Sequence, residues 1–169
     1  DQGSSPLKLH TKLKFWYQYF IKGEGNFKIP FFPSDRLPQL KLVGILSTFQ
    51  ETKLTEEGSY IYLFQSHIKP VWEDENNKKG GAFVLRFERA KCNRLWEDLL
   101  LSYAVSPQTE VQDITGMRIK IRKDQTAEID FWVNNSTPTK LEKYRDWILK
   151  RTDLSPTLPL EFIQFFKEE

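Results

Sequence analysis

The chain is poor in the residue types that carry most covalent and metal chemistry. Its 169 residues include one cysteine, Cys92. No intrachain disulfide can form, and a reducing, cytoplasmic compartment fits. The two histidines, His10 and His67, stand apart from each other and from Cys92, without metal-ligand spacing. The eight glycines form no phosphate-binding motif, and Gly23, Gly25, Gly80 and Gly81 read as turn glycines. No nucleophile–base pair is visible. A binding module is therefore expected rather than an enzyme, with no cofactor and no metal. The formal net charge is only +2, too small for non-specific attachment to long nucleic acid, so any basic site must be local. No apolar run approaches a membrane span, and the polar opening Asp1–Pro6 shows no signal-peptide pattern.

Aromatic residues are what the chain does have. They make up 14% of it, with five Trp and thirteen Phe, more than a core of this size requires. Residues 1–12 read as a flexible lead-in and residues 13–169 as a single domain. Strands are expected at Lys14–Ile21, Tyr60–Phe64, Ala82–Glu88, Ile114–Arg122, Ala127–Asn134 and Leu160–Phe166. Helical spacing is found over Gln39–Gln50 and Cys92–Ala104. Thr139 with Glu142 suggests a capping box for a helix running to about Thr152. Strands and helices follow no βαβ rhythm. The fold class is α+β, a mainly antiparallel sheet with helices packed on one face.

Val71-Trp72-Glu73-Asp74-Glu75-Asn76-Asn77-Lys78-Lys79-Gly80-Gly81 is the stretch that bears on function. A flat indole beside a carboxylate can hold one purine. The ring stacks on the base, and the carboxylate accepts hydrogen bonds from N1–H and the exocyclic amine of guanine. Methylation at N7 makes guanine cationic and strengthens its attraction to an electron-rich ring. A hairpin with an acidic loop and a buried Trp accounts for the same residues. Asp74 and Glu75 read as solvated loop charge rather than catalytic carboxylates. Trp132 shares a strand face with Glu128 and Asp130, which suits either a binding site or a cross-strand packing partner. Arg118, Lys120 and Arg122 line one face of their strand, ending in Arg122-Lys123 at a turn. Such a tip can hold phosphates or simply be solvated.

These motifs together resemble the translation initiation factor 4E family, which binds the messenger-RNA cap. The resemblance is dense over Ile68–Gly81 and continues at Arg94-Leu95-Trp96-Glu97-Asp98-Leu99-Leu100, over Gly116–Arg122, at Trp132 and over Trp16–Lys22. It implies a curved, mainly antiparallel sheet backed by helices on its convex face, with the cap on the concave side. It further implies that Trp72 stacks on 7-methylguanine, Glu73 reads its edge, Trp132 touches the N7-methyl group and Arg122 meets the triphosphate. No Trp follows the first strand, so Phe27 is the stand-in for the second stacking ring, with Phe31 and Phe32 as alternatives. Ala82 occupies a position where the family has an Arg. The hairpin before Trp132 is one residue longer, which makes Lys123 the candidate for the second phosphate-binding cation. On the convex face the resemblance points to Val43, Trp96, Glu97 and Leu101 as partner-binding. Val43 stands in place of a Trp and Glu97 in place of a Leu. The resemblance thus implies a divergent paralogue, monomeric apart from its partner, that binds capped mRNA and a factor 4G-like or other 4E-interacting protein. It would act in translation initiation or, with a non-standard partner, as a translational repressor or mRNA storage factor. A cap-processing enzyme, a third possibility, lacks a catalytic constellation.

Overall fold

The computed structural model describes residues 13–18, 60–122, 124–152 and 160–166. The lead-in 1–12, the helix expected over Gln39–Gln50, and Phe27, Phe31, Phe32, Val43 and Lys123 lie outside the described residues. Among the described residues six strands form one antiparallel sheet: β1 (Leu13–Gln18), β2 (Tyr60–Gln65), β3 (Gly81–Glu88), β4 (Ile114–Ile121), β5 (Thr126–Val133) and β6 (Glu161–Gln164). Their spatial order is β1-β2-β4-β5-β3-β6. Among the described residues the helices are α1 (Cys92–Val105), a short α2 (Gln108–Val111) and α3 (Pro138–Arg151).

Period-two alternation sorts each strand into two faces. Ile61 and Leu63, Phe83 and Leu85, Met117 and Ile119, and Ile129 and Phe131 all point to the side where the helices pack. Helix α1 meets them with Cys92, Leu95, Trp96, Leu99, Leu100 and Tyr103, an apolar stripe at helical spacing. Helix α3 adds Tyr144, Trp147 and Ile148, and the Phe131 and Trp147 rings meet edge to face with centroids 5.9 Å apart. This is the convex core. The opposite, concave face carries a smaller cluster of Tyr62, Phe64, Ile68, Ala82, Val84 and Trp132.

The helix ends have local causes. Helix α1 stops at Ser106-Pro107, where Ser106 donates from both its amide and its hydroxyl to the Ser102 carbonyl. The capping box expected at Thr139 does not form. Helix α3 begins two residues earlier, with Pro138 in the first turn and Thr137, in place of Thr139, as the extended flanking residue. Proline is pre-set for that first turn and needs no amide partner there, which outweighs the Thr139–Glu142 pattern. The Asn135 side chain accepts from the Thr137 amide at 2.8 Å and fixes the approach. No helix among the described residues is long and apolar enough to cross a membrane.

Candidate functional site

The loop from Ser66 to Gly80 builds the site from its own polar groups. Asn77 is 0% exposed. Its amide donates to the Lys69 carbonyl at 3.1 Å and to the Val71 carbonyl at 2.9 Å, and its oxygen accepts from the Thr115 hydroxyl at 2.7 Å. One buried side chain thus fastens both the start of the loop and the residue before Trp72 to β4. Thr115 reaches it because β4 has a register irregularity between Ile114 and Gly116. Asp74, expected to be solvated charge, is a loop-former instead. Its carboxylate accepts from the amides of Lys69 and Asn76 and from the Asn76 side chain, at 3.1, 2.9 and 3.0 Å. Partial burial works to raise the Asp74 pKa, but these donors hold it below the usual carboxylate range.

Gly80 closes a turn as expected, its amide donating to the Asn77 carbonyl at 2.9 Å, and it meets a second constraint. A Cβ there would lie 1.7 Å from the Val133 carbonyl oxygen, so glycine is required by the close approach of β5. Gly81 is already a residue of β3. Gly116 similarly lies under the Phe64 ring, which a Cβ would meet at 2.3 Å. The Phe64 ring in turn stands edge-on to Trp132, with centroids 5.1 Å apart.

A cavity of about 390 Å³ opens on the concave face. Trp72 and Glu73 stand on one side, Tyr62, Arg118, Asp130 and Trp132 line it from the sheet, and Ile163 and Phe165 come from the C-terminal segment. Trp72 is 48% exposed, far more than a core tryptophan. Its ring leans on Phe166 at 4.8 Å between centroids. Trp132, by contrast, is 5% exposed. Phe165 stands edge-on to it at 4.7 Å, and Tyr62 at 6.5 Å.

Beneath these rings lies a buried ion cluster that the sequence did not single out. Arg118 is hydrogen-bonded to Asp130 and lies 3.8 Å from Glu128. Its guanidinium carbon stands 5.2 Å from the centre of the Tyr60 ring and 5.8 Å from that of Trp132. Asp130 is 1% exposed. Burial pushes its carboxyl up to about 6; Arg118 opposes this shift and Glu128 adds to it. Arg118 Nε, Asp130 Oδ1 and Trp132 Nε1 are buried without a hydrogen-bond partner among the described residues. The signal for this cluster was the cross-strand register of Arg118 with Asp130, which alternation alone does not provide.

Trp72, Glu73 and Trp132 therefore share one cavity. Arg122 does not line it. It lies just past the end of β4, partly exposed, 3.8 Å from Glu128. Ala82 lines the cavity as a small buried wall. Of the residues expected to meet a partner, Trp96 is 2% exposed and sits within the convex core, because its helical position falls beside Leu95, Leu99 and Leu100. Glu97 and Leu101, four residues apart on α1, are partly exposed on the same stripe.

The fold and the cavity define a small α+β binding domain with an aromatic pocket on the concave side of its sheet. The chain belongs to the eukaryotic initiation factor 4E family, whose model matches residues 41–169. It is 24% identical over 160 residues to eukaryotic translation initiation factor 4E-4 of Caenorhabditis elegans, covering 88% of this chain and 73% of that protein. It is 28% identical over 103 residues to translation initiation factor NCBP of Triticum aestivum, covering 60% of this chain and 44% of that protein. The solved complex of C. elegans factor 4E-3 with the 4E-binding protein Mextli and a cap analogue superposes with a TM-score of 0.74 at 20% identity, covering 92% of this chain and 91% of that one. The likeness in structure shows the α+β fold, a curved antiparallel sheet backed by helices.

Proposed function

We propose that this protein binds the 7-methylguanosine cap of messenger RNA and acts in translation initiation in the cytoplasm, as a binding protein rather than an enzyme. The observation that carries this reading is the half-exposed Trp72, next to Glu73, at a cavity whose sheet-side wall includes Trp132. An exposed indole on a loop fastened by the Asn77 and Asp74 hydrogen bonds is pre-organised for stacking, which lowers the ordering cost of binding. Glu73 then pairs with the guanine edge, and Trp132 meets the N7-methyl group. Phe27 is the candidate for the opposite face of the base, and Arg122 and Lys123 are the candidates for the phosphate side. Two further facts support the reading: membership of the factor 4E family, and a solved neighbour that carries a cap analogue.

Tryptophan fluorescence titration with 7-methyl-GTP and GTP tests it. A cationic base should bind at least about tenfold more tightly, roughly 1.4 kcal/mol, because the indole face attracts its charge in addition to the stacking that the neutral base also gains. Equal quenching by the two nucleotides would refute the reading.

A second reading keeps cap binding but makes the protein a translational repressor or storage factor with a non-standard partner. The partly exposed charge of Glu97 on α1 favours it, since a helix docking there would desolvate a carboxylate unless it brought a cation. Mextli, a 4E-binding protein, occupies the solved neighbour. Calorimetry with a Tyr-x-x-x-x-Leu-apolar peptide separates the two readings. Tight binding favours initiation through the ordinary partner, with Val43 and Glu97 as tolerated changes.

A further inference from the structure

Among the described residues, the arginines that could meet a ligand's phosphates already face carboxylates. Along β4, Arg118, Lys120 and, just beyond the strand, Arg122 project to the concave side about 7 Å apart. In the cross-strand register Arg118 stands opposite Asp130, and Lys120 opposite Glu128. Arg118 is bonded to Asp130. Glu128 is the hub of three guanidinium groups. One of its oxygens accepts from Arg86 Nε at 3.0 Å and lies 3.8 Å from Arg122, while the other lies 3.8 Å from Arg118. Both carboxylates are buried, so solvent ions do not screen them well. The field of these two carboxylates offsets part of that of the three arginines where a phosphate chain leaving the cavity would pass. A phosphate drawn to Arg118 or Arg122 is also drawn beside Glu128 or Asp130, and the like charges offset the gain.

We infer that Glu128 and Asp130 set the charge preference of the cavity, so that it reads the methylated base and discounts the phosphate chain. The ligand class is a 7-methylguanine nucleoside or nucleotide of any phosphate length, with affinity residing in the base. This deepens the proposed cap reading and rests on it. Glu128 and Asp130 act through the arginines and are specificity-determining residues, not groups that touch the base.

The test compares 7-methylguanosine with 7-methyl-GTP by tryptophan fluorescence on the whole chain. For the wild type we expect a preference for the triphosphate below about tenfold, changing by no more than about twofold between low and moderate salt, because partly offset charges leave a weaker field to screen. Glu128→Gln keeps the acceptor for Arg86 and removes the charge, and it should raise the preference at least about fivefold while leaving nucleoside affinity unchanged. A wild-type preference above about tenfold that collapses with salt would overturn the inference. So would a folded Glu128→Gln protein, checked by circular dichroism, with an unchanged preference. If neither ligand binds the wild type, the cap reading fails and this inference falls with it. If the nucleoside binds but the triphosphate is strongly preferred, only the inference falls.

Discussion

On the convex side of β5, Ile129, Phe131 and Val133 are sealed against α1 and α3 by apolar neighbours alone, whereas on the concave side of the same strand Glu128, Asp130 and Trp132 are just as buried. Burial is equal on the two faces, but its chemistry is opposite. The convex face gains from area removed from water. The convex core leaves only the indole Nε1 atoms of Trp96 and Trp147 without partners among the described residues, whereas the concave face carries ionised groups and leaves atoms of the Arg118–Asp130 pair itself, Arg118 Nε and Asp130 Oδ1, unpartnered beside Trp132 Nε1. A fold optimised for stability alone would fill that space with aliphatic side chains. The two faces therefore divide the labour: one holds the sheet in shape, and the other holds aromatic and charged groups in place at some cost to stability.

Removing a convex-face ring should give the largest effect on stability. Phe131→Ala deletes a fully buried ring and opens a cavity beside Trp147. It should cost about 3–5 kcal/mol, seen as a lower urea midpoint. If a concave-face truncation such as Tyr62→Ala costs as much, the division of labour is wrong.

Asp130 tests the concave side through pH. Its folded pKa is about 6, above the ordinary 3.8, so the folded state holds this proton more tightly than the unfolded chain. The stability it contributes is complete below about pH 4, falls as pH rises, and is gone above about pH 6. The full difference approaches about 3 kcal/mol. Asp130→Asn removes the titration and adds a roughly constant penalty at Arg118. The measurement is the wild-type stability minus that of the variant across this window, which should decline as pH rises. A flat difference would mean that Arg118 holds Asp130 ionised throughout.

The loop lies between these extremes. Asn77→Ala strips partners from two backbone carbonyls and from the Thr115 hydroxyl, and should cost about 1–3 kcal/mol. Because it also frees the backbone before Trp72, cap affinity should fall with it. Asp74→Ala breaks more exposed bonds and should cost less. A larger loss from Asp74→Ala in the urea midpoint would identify the wrong residue as the anchor.

Strand alternation was legible because its period is a property of the backbone, and it sorted β5 correctly into Ile129, Phe131 and Val133 against Glu128, Asp130 and Trp132. What alternation cannot say is whether a polar face meets water. Tyr62 and Phe64 arrive from β2, far away in sequence, and bury it. Asn77 looked like one more polar loop residue because its partner Thr115 is 38 positions away. Trp96 carried the family pattern of a surface residue, but its helical position puts it in the core. The Trp72-Glu73 pair was legible as chemistry since the two residues adjoin in sequence, whereas the Arg118–Asp130 pair required the register of two strands.

The smallest stability effect is expected at the residue with the largest expected role in binding. Trp72 is about half exposed, and its ring makes a tilted contact with Phe166. Trp72→Ala should therefore change the urea midpoint by less than about 1 kcal/mol, the scale of one partly exposed aromatic pair. The same change removes a stacking face, and affinity for 7-methyl-GTP should fall by about 1–3 kcal/mol. Phe166→Ala separates the two roles of that ring pair. If Phe166 only covers one face of the indole, its removal leaves affinity unchanged or improves it, since a ring 4.8 Å away leaves no room for a base between. If Phe166→Ala weakens binding as much as Trp72→Ala does, the pair works as a unit that orients the indole, and Trp72 is held from the C-terminal segment as well as by its own loop. The contrast between the faces then sharpens, because the exposed indole would owe its position to Phe166 and Asn77 rather than to the core.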